Sequence, residues 1–152
     1  MPSTTLAELA QARRRKPTRA PAARTESEIL REVLAALNRE PGVHVGRNNV
    51  GAVKVGSRFV RFGTKGATDI VGYRSVRLSV ITKGGGDFEY ETRNLAVHVA
   101  LEVKRPNWKP RNRADALRWA MQQATIERVK MAGGIAGVVT SAEEAVALVR
   151  AR

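Results

Sequence analysis

The 152-residue chain has room for one folded domain with a single core. It carries 27 Lys and Arg against 14 Asp and Glu, a net charge of +13, and no cysteine, which excludes a disulfide framework and a zinc–thiolate centre. No apolar run approaches the roughly 18 to 20 residues that a membrane span needs, and the opening residues lack the apolar stretch of a secretory signal, so a cytoplasmic setting away from membranes is expected. The basic excess attracts polyanions, nucleic acid foremost, and it is spread along the chain: residues 1–24 carry a net +5 and residues 25–152 a net +8.

In chain order, residues 1–24 are rich in Ala, Arg, Thr and Pro and carry a charge run at Arg13–Lys16, the composition of a mobile basic arm. The domain proper is expected over 25–152. It opens with a helix from about Glu26 to Asn38, where Thr25 and Glu28 form a capping box and Ile29, Leu30, Val33, Leu34 and Leu37 share one stripe. Val53–Val55 and Phe59–Phe62 flank Gly56-Ser57, a hairpin signal. Gly63–Gly66 reads as a loop and Asp69–Tyr73 as a short strand. Val76–Ile81 and Phe88–Thr92 bracket Gly84-Gly85-Gly86 as a second hairpin, an inserted segment over 75–95. In Ala96–Lys104 the alternation puts Val97, Val99, Leu101 and Val103 on one face and His98, Ala100, Glu102 and Lys104 on the other. A long helix is predicted over Arg113–Met131, a buried strand over Ile135–Val139, and a last helix capped by Ser141 with Glu144 at the capping-box position. The order of elements predicts an α/β fold, a mixed β-sheet flanked by helices.

The chemistry concentrates on acids near one lysine. Hydrolysis of a phosphodiester needs an activated water and compensation for charge building on the phosphoryl oxygens, and carboxylates converging on a hard cation supply both. Asp69 opens a strand after a Gly-bounded loop. Glu102 and Lys104 lie on one face of another strand, roughly 7 Å apart along it. A lone E-x-K is more often the wet face of an edge strand; the surrounding motifs change that balance.

Arg47-Asn48-Asn49, then Gly63-x-Lys65-Gly66-x-x-Asp69, then Glu102-Val-Lys104, then Gln122 eleven residues before Gly133-Gly134, resemble in order and spacing the VRR-NUC branch of the PD-(D/E)xK nucleases, from Thr25 to about Val149. The resemblance implies a restriction-endonuclease-like core. It also implies a divalent metal, Mg²⁺ with Mn²⁺ able to substitute, held by Asp69 and Glu102, while Lys104 orients or activates water. Thr68 stands where that family often has proline, and residues 75–95 exceed its usual short link. The family further places a glutamate at the start of the first helix, for which Glu26, Glu28 and Glu32 compete. On a helical wheel Glu26 sits beside the apolar stripe and Glu28 nearly opposite, so Glu26 is the candidate third acid, the alternative being that it only stabilises the helix dipole.

Gln122 lies on the Ile126–Val129 side of its helix, where an amide can serve the lysine or a phosphate or simply bond to solvent. Arg47, Asn48, Lys65, Arg105 and Lys109 flank the motifs as candidate phosphate contacts, and Trp108, in a Pro-bounded loop, is the better placed of the two tryptophans to touch DNA. Stand-alone members of the branch look like structure-specific endonucleases of branched DNA, including four-way (Holliday) junctions, and symmetric cutting of a junction calls for a homodimer. The alternatives are a less selective endonuclease or nickase on the same site, or a basic DNA-binding protein without catalysis.

Overall fold

The computed structural model of the chain describes residues 24–84 and 87–151. The expected arm over 1–24 falls outside the described residues up to residue 23. Helix α1 spans Glu26–Leu37 and starts as predicted: the Thr25 hydroxyl accepts from the Glu28 amide, and the Glu28 carboxylate accepts from the Thr25 amide at 2.7 Å. Strands β1 (Val43–Arg47), β2 (Gly51–Val55), β3 (Arg58–Phe62), β4 (Ile70–Gly84) and β5 (Asp87–Val103) follow. Helix α2 (Arg113–Met131), strand β6 (Ile135–Val139) and helix α3 (Ala142–Arg150) complete the chain. Among the described residues no helix is long and apolar enough to cross a membrane.

Four strands form one mixed sheet in the order β1-β4-β5-β6, with β5 and β6 parallel and the other neighbours antiparallel. Helices cover both faces. On one, Ile29, Val33 and Leu37 of α1 and Ala145 and Val149 of α3 pack on Ile70, Val99, Leu101, Val103 and Val139. On the other, Ile126 and Val129 of α2 pack on Ala100 and Ala136. An ion pair from Arg150 to Glu40, at 2.7 and 2.9 Å, ties the end of α3 to the turn after α1.

Two expectations are corrected here. Val43–Arg47 is a strand that local patterning does not predict: only Val43 and Val45 alternate in it, between His44 and Gly46, and the β4 edge supplies its pairing. The four strands expected over Asp69–Tyr73, Val76–Ile81, Phe88–Thr92 and Ala96–Lys104 are instead two long ones. Nothing between Tyr73 and Val76 or between Thr92 and Ala96 interrupts the pleat, and the pairing runs unbroken from Ile70↔Leu101 to Gly84↔Asp87. β1 pairs with β4 only through Arg74, and β6 pairs with β5 only from Val99 onward. The Ser75 amide still bonds the Gly42 carbonyl; from Val76 outward, therefore, the inserted segment is a nine-residue, roughly 30 Å extension of β4 and β5 that pair only with each other among the described residues. β2 and β3 form a separate two-stranded ribbon, paired as the Gly56-Ser57 signal predicts.

Candidate active site

The C-terminal end of β5 is where the sequence-predicted residues meet. Because β5 is central in the sheet and α2 covers its second face, the Ala100–Lys104 part of that face is not the wet one an isolated E-x-K suggests. Glu102 is completely buried and Lys104 is 8% exposed. A charged pair in such a place needs partners. Lys104 donates from its ammonium to Glu102 Oε1 and, at 3.5 Å, to Glu26 Oε1. Asp69, at the mouth of β4, accepts from the Val103 amide with Oδ2 at 3.0 Å, which locks its carboxyl beside the same strand end.

Asp69 and Glu102 lie within hydrogen-bonding reach of each other, so two carboxylates abut. Burial above all, then the neighbouring Asp69 charge, push the Glu102 carboxyl up to about 7, against the opposing pull of Lys104. Burial alone would lower the Lys104 ammonium, but the Glu102 hydrogen bond and the charges of Glu102, Glu26 and Asp69 outweigh it, and the ammonium is held above its ordinary value. The other oxygen of Glu102, Oε2, is buried without a hydrogen-bond partner. Such an orphan costs stability unless something cationic or protonated meets it.

Two tryptophans cap this cluster. The Trp108 amide donates to the Arg105 carbonyl at 3.1 Å, closing a turn with Pro106 second and Asn107 third at φ 60°, a position where Asn is among the best tolerated side chains. The turn folds Trp108 back so that its ring lies 5.1 Å from Lys104 Nζ; Trp119 lies 6.0 Å away, and the two rings are 5.1 Å apart at 51°. Trp119 is a site neighbour that sequence reasoning left undecided. Trp119, Gln122, Ile126 and Val129 follow one another at helical 3–4 spacing on α2, a stripe that points to the sheet.

The loop before β4 is built for close approach. Gly66 has φ 76°, and a β-carbon there would stand 2.7 Å from Met121 Cβ, so the loop lies directly on α2. Asn48 fixes the next residues: its amide hydrogen-bonds the Asp69 carbonyl at 2.7 Å and its side chain the Thr68 carbonyl at 3.1 Å. Asn48 thus acts on the backbone that presents Asp69. Buried Thr68, in the place of the expected proline, closes its hydroxyl on the Ile70 carbonyl.

Asp69 and Gln122 open into a cleft of about 800 Å³ between the β2–β3 ribbon and α2, also lined by Arg47, Asn48, Lys65 and, unforeseen, Arg61 and Arg118. Gln122 is one of the two buried residues of α2, as its wheel position suggested. Arg105 and Lys109 are exposed beyond Lys104 and do not line the cleft. Among the described residues no three His, Cys, Asp or Glu side chains converge closely enough to cage a metal by themselves. Two acids of the site, Asp69 and Glu102, face each other, with Glu26 engaged on Lys104.

No protein-family model, curated protein or solved structure matches the chain.

Proposed function

We propose that the chain is a metal-dependent DNA endonuclease with a restriction-endonuclease-like core, acting on branched DNA such as four-way junctions. The observation that carries this reading is buried Glu102 and Lys104 meeting half-buried Asp69, through which the cluster opens into a cleft lined by four cations and one carboxylate. A protein that only binds a polyanion gains nothing from an acid in the wall of its basic cleft, backed by a second, buried one, where their charge repels the ligand.

The residues fit a hard divalent cation. Two oxygen donors side by side, one of them an orphaned buried Glu102 oxygen, suit Mg²⁺ or Mn²⁺. The short donor set suits Mg²⁺ in particular, since that ion is commonly held by one or two carboxylates and completes its shell with water and substrate phosphate. When bound, the ion would supply Lewis-acid polarisation of a phosphoryl oxygen.

The chain's own residues supply the rest. Hydrolysis joins a water oxygen to phosphorus, releases the bridging ester oxygen as an alcohol, and moves one proton from the water to that leaving oxygen. Lys104, held as an ammonium by three acids, donates hydrogen bonds to the attacking water or to a non-bridging oxygen, and so orients the nucleophile and offsets developing charge. Glu26 restrains the ammonium from the α1 side. Trp108 and Trp119 shield the lysine from bulk water, which strengthens its electrostatic effect. Arg47, Lys65 and Arg118 neutralise flanking phosphates, and Gln122 offers an amide to the strand within the cleft.

Symmetric junction cutting requires two such sites, so the working form is proposed to be a homodimer. Incubation of the protein with end-labelled four-way junction, flap and matched duplex, with Mg²⁺ or with chelator, tests the reading. Metal-dependent cleavage favouring the junction is expected. Equal cutting of all three would make it an unselective nuclease, and no cutting with tight binding would leave a DNA-binding protein.

A further inference from the structure

The β2–β3 ribbon has two unlike faces. Directly paired residues share a face, so Val53↔Val60 and Val55↔Arg58 lie on one side, and Ala52↔Arg61 and Lys54↔Phe59 on the other. Ala52 and Arg61 line the cleft, so Lys54 and Phe59 extend the cleft wall outward, Phe59 roughly 7 Å beyond Arg61 along the strand. Phe59 is 71% exposed, and it stands between two cations on a ribbon that packs in no other sheet. Across the cleft, Leu117 of α2 is 65% exposed and Arg118 adds a further cation.

A phenyl ring in water beside cations, leading into a basic cleft, is the arrangement used to hold unpaired nucleotides: the charges follow the backbone and the ring stacks on a base. A paired base cannot offer its face to such a ring, because its neighbours in the duplex already occupy that face. We infer that the Lys54–Phe59–Arg61 face of the β2–β3 ribbon is a single-strand platform that stacks an unpaired base and feeds its strand past Arg47 and Lys65 to Asp69. The inference rests on the nuclease reading for its choice of DNA. It makes the recognised feature of a branch a base freed from pairing at the branch point, as in a flap or the opened centre of a junction, and the β2–β3 ribbon, rather than bulk charge, the element that selects it.

The test is fluorescence anisotropy with labelled dT12 and with a 12-base-pair duplex, in chelator so that nothing is cut. Charge alone favours the duplex, whose phosphates are denser, so tighter binding of dT12 by the wild type is the first expected result. Phe59→Ala should weaken dT12 by roughly tenfold, leave the duplex within twofold, and leave the salt dependence of dT12 binding unchanged, because no phosphate contact is lost. Phe59→Trp should restore wild-type affinity. Arg61→Ala should weaken dT12 and also flatten its salt dependence. Duplex preference in the wild type, or equal weakening of both ligands by Phe59→Ala, overturns the platform. The nuclease reading fails separately: a protein showing the full dT12 pattern but never cutting with Mg²⁺ keeps the platform and loses the catalysis, while a junction-cutting protein indifferent to Phe59→Ala keeps the catalysis and loses the platform.

Discussion

Replacing Glu102 by Gln should make the metal-free protein more stable at neutral pH, not less. In the unfolded chain this carboxyl has its ordinary value near 4.5, and burial beside Asp69 lifts it to about 7 in the fold. Between those pH values the folded chain keeps a proton that the unfolded chain has released, so stability falls as pH rises through that window and the loss is complete above about 7. At about 1.4 kcal/mol for each tenfold difference in proton affinity, the full loss is about 3 kcal/mol. The substituted amide would carry no such liability, and it keeps the shape and a carbonyl oxygen that Lys104 can still meet. In chelator, thermal melts of Glu102→Gln and wild type should coincide near pH 4 and diverge by on the order of 10 °C near pH 8, with the variant higher. Divalent metal should reverse the order by stabilising the wild type alone. Equal destabilisation of the variant at both pH values would refute the reasoning and make Glu102 an ordinary ionised partner of Lys104.

Saturating Mg²⁺ should raise the wild-type melting temperature and leave Asp69→Asn nearly unmoved, as scanning calorimetry would read; an equal rise in both would remove Asp69 from the metal. Lys104→Ala should reduce cleavage by several orders of magnitude while changing junction affinity no more than a few-fold, since it removes one cation of 27; parallel loss of both in a folded variant would make the lysine a phosphate clamp. Gly66→Ala forces a side chain onto a left-handed residue and against Met121, so denaturant melts should show a loss of about 1–3 kcal/mol and cleavage should fall with the displaced Asp69 loop; an unchanged melt would mean that the loop stands off α2. Replacing Lys83–Asp87 by a tight turn shortens the protruding β4–β5 extension and should lower the ratio of junction to duplex cleavage with metal stabilisation intact; an unchanged ratio would leave that extension a structural part only.

Local signals carried most of the element boundaries. The capping box at Thr25, the Gly pair after Met131 and the short apolar run Ile135–Val139 are written in neighbouring residues, and each element begins or ends where those residues say. At Ser141 the local signal is half right: the serine caps α3, but Glu144 turns back to the Thr140 amide and hydroxyl instead of completing the reciprocal bond. Strand length was less legible, because a chain that never breaks its pleat gives no sign of where one sheet partner stops and the next begins, as β4 and β5 show. For the site, alternation put Glu102 and Lys104 on one face. It could not say whether that face is wet, since α2 comes from later in the chain and its covering of β5 is a tertiary fact. The meeting of Trp108 with Trp119 and the capture of Lys104 by Glu26 are likewise contacts across distance.

The same separation governs when the candidate site is assembled. The β4–β5 pair closes from neighbouring residues at Gly84↔Asp87 and can zip toward the sheet with each step short in sequence. The acids and the lysine meet only through closures of 34 residues, from Asp69 to Val103, and 78 residues, from Glu26 to Lys104. Loop-closure entropy puts such contacts late on the folding path, and parallel β5–β6 pairing around α2 is a further slow step. On the proposed reading, a chain leaving the ribosome forms its longest hairpin well before its acids and lysine could hold a cation or place a water. Cleavage would then arrive only with the completed fold and be lost on the first opening of α1 from the sheet, so a partly folded copy of this strongly basic chain would keep its attraction to polyanions without the means to cut them.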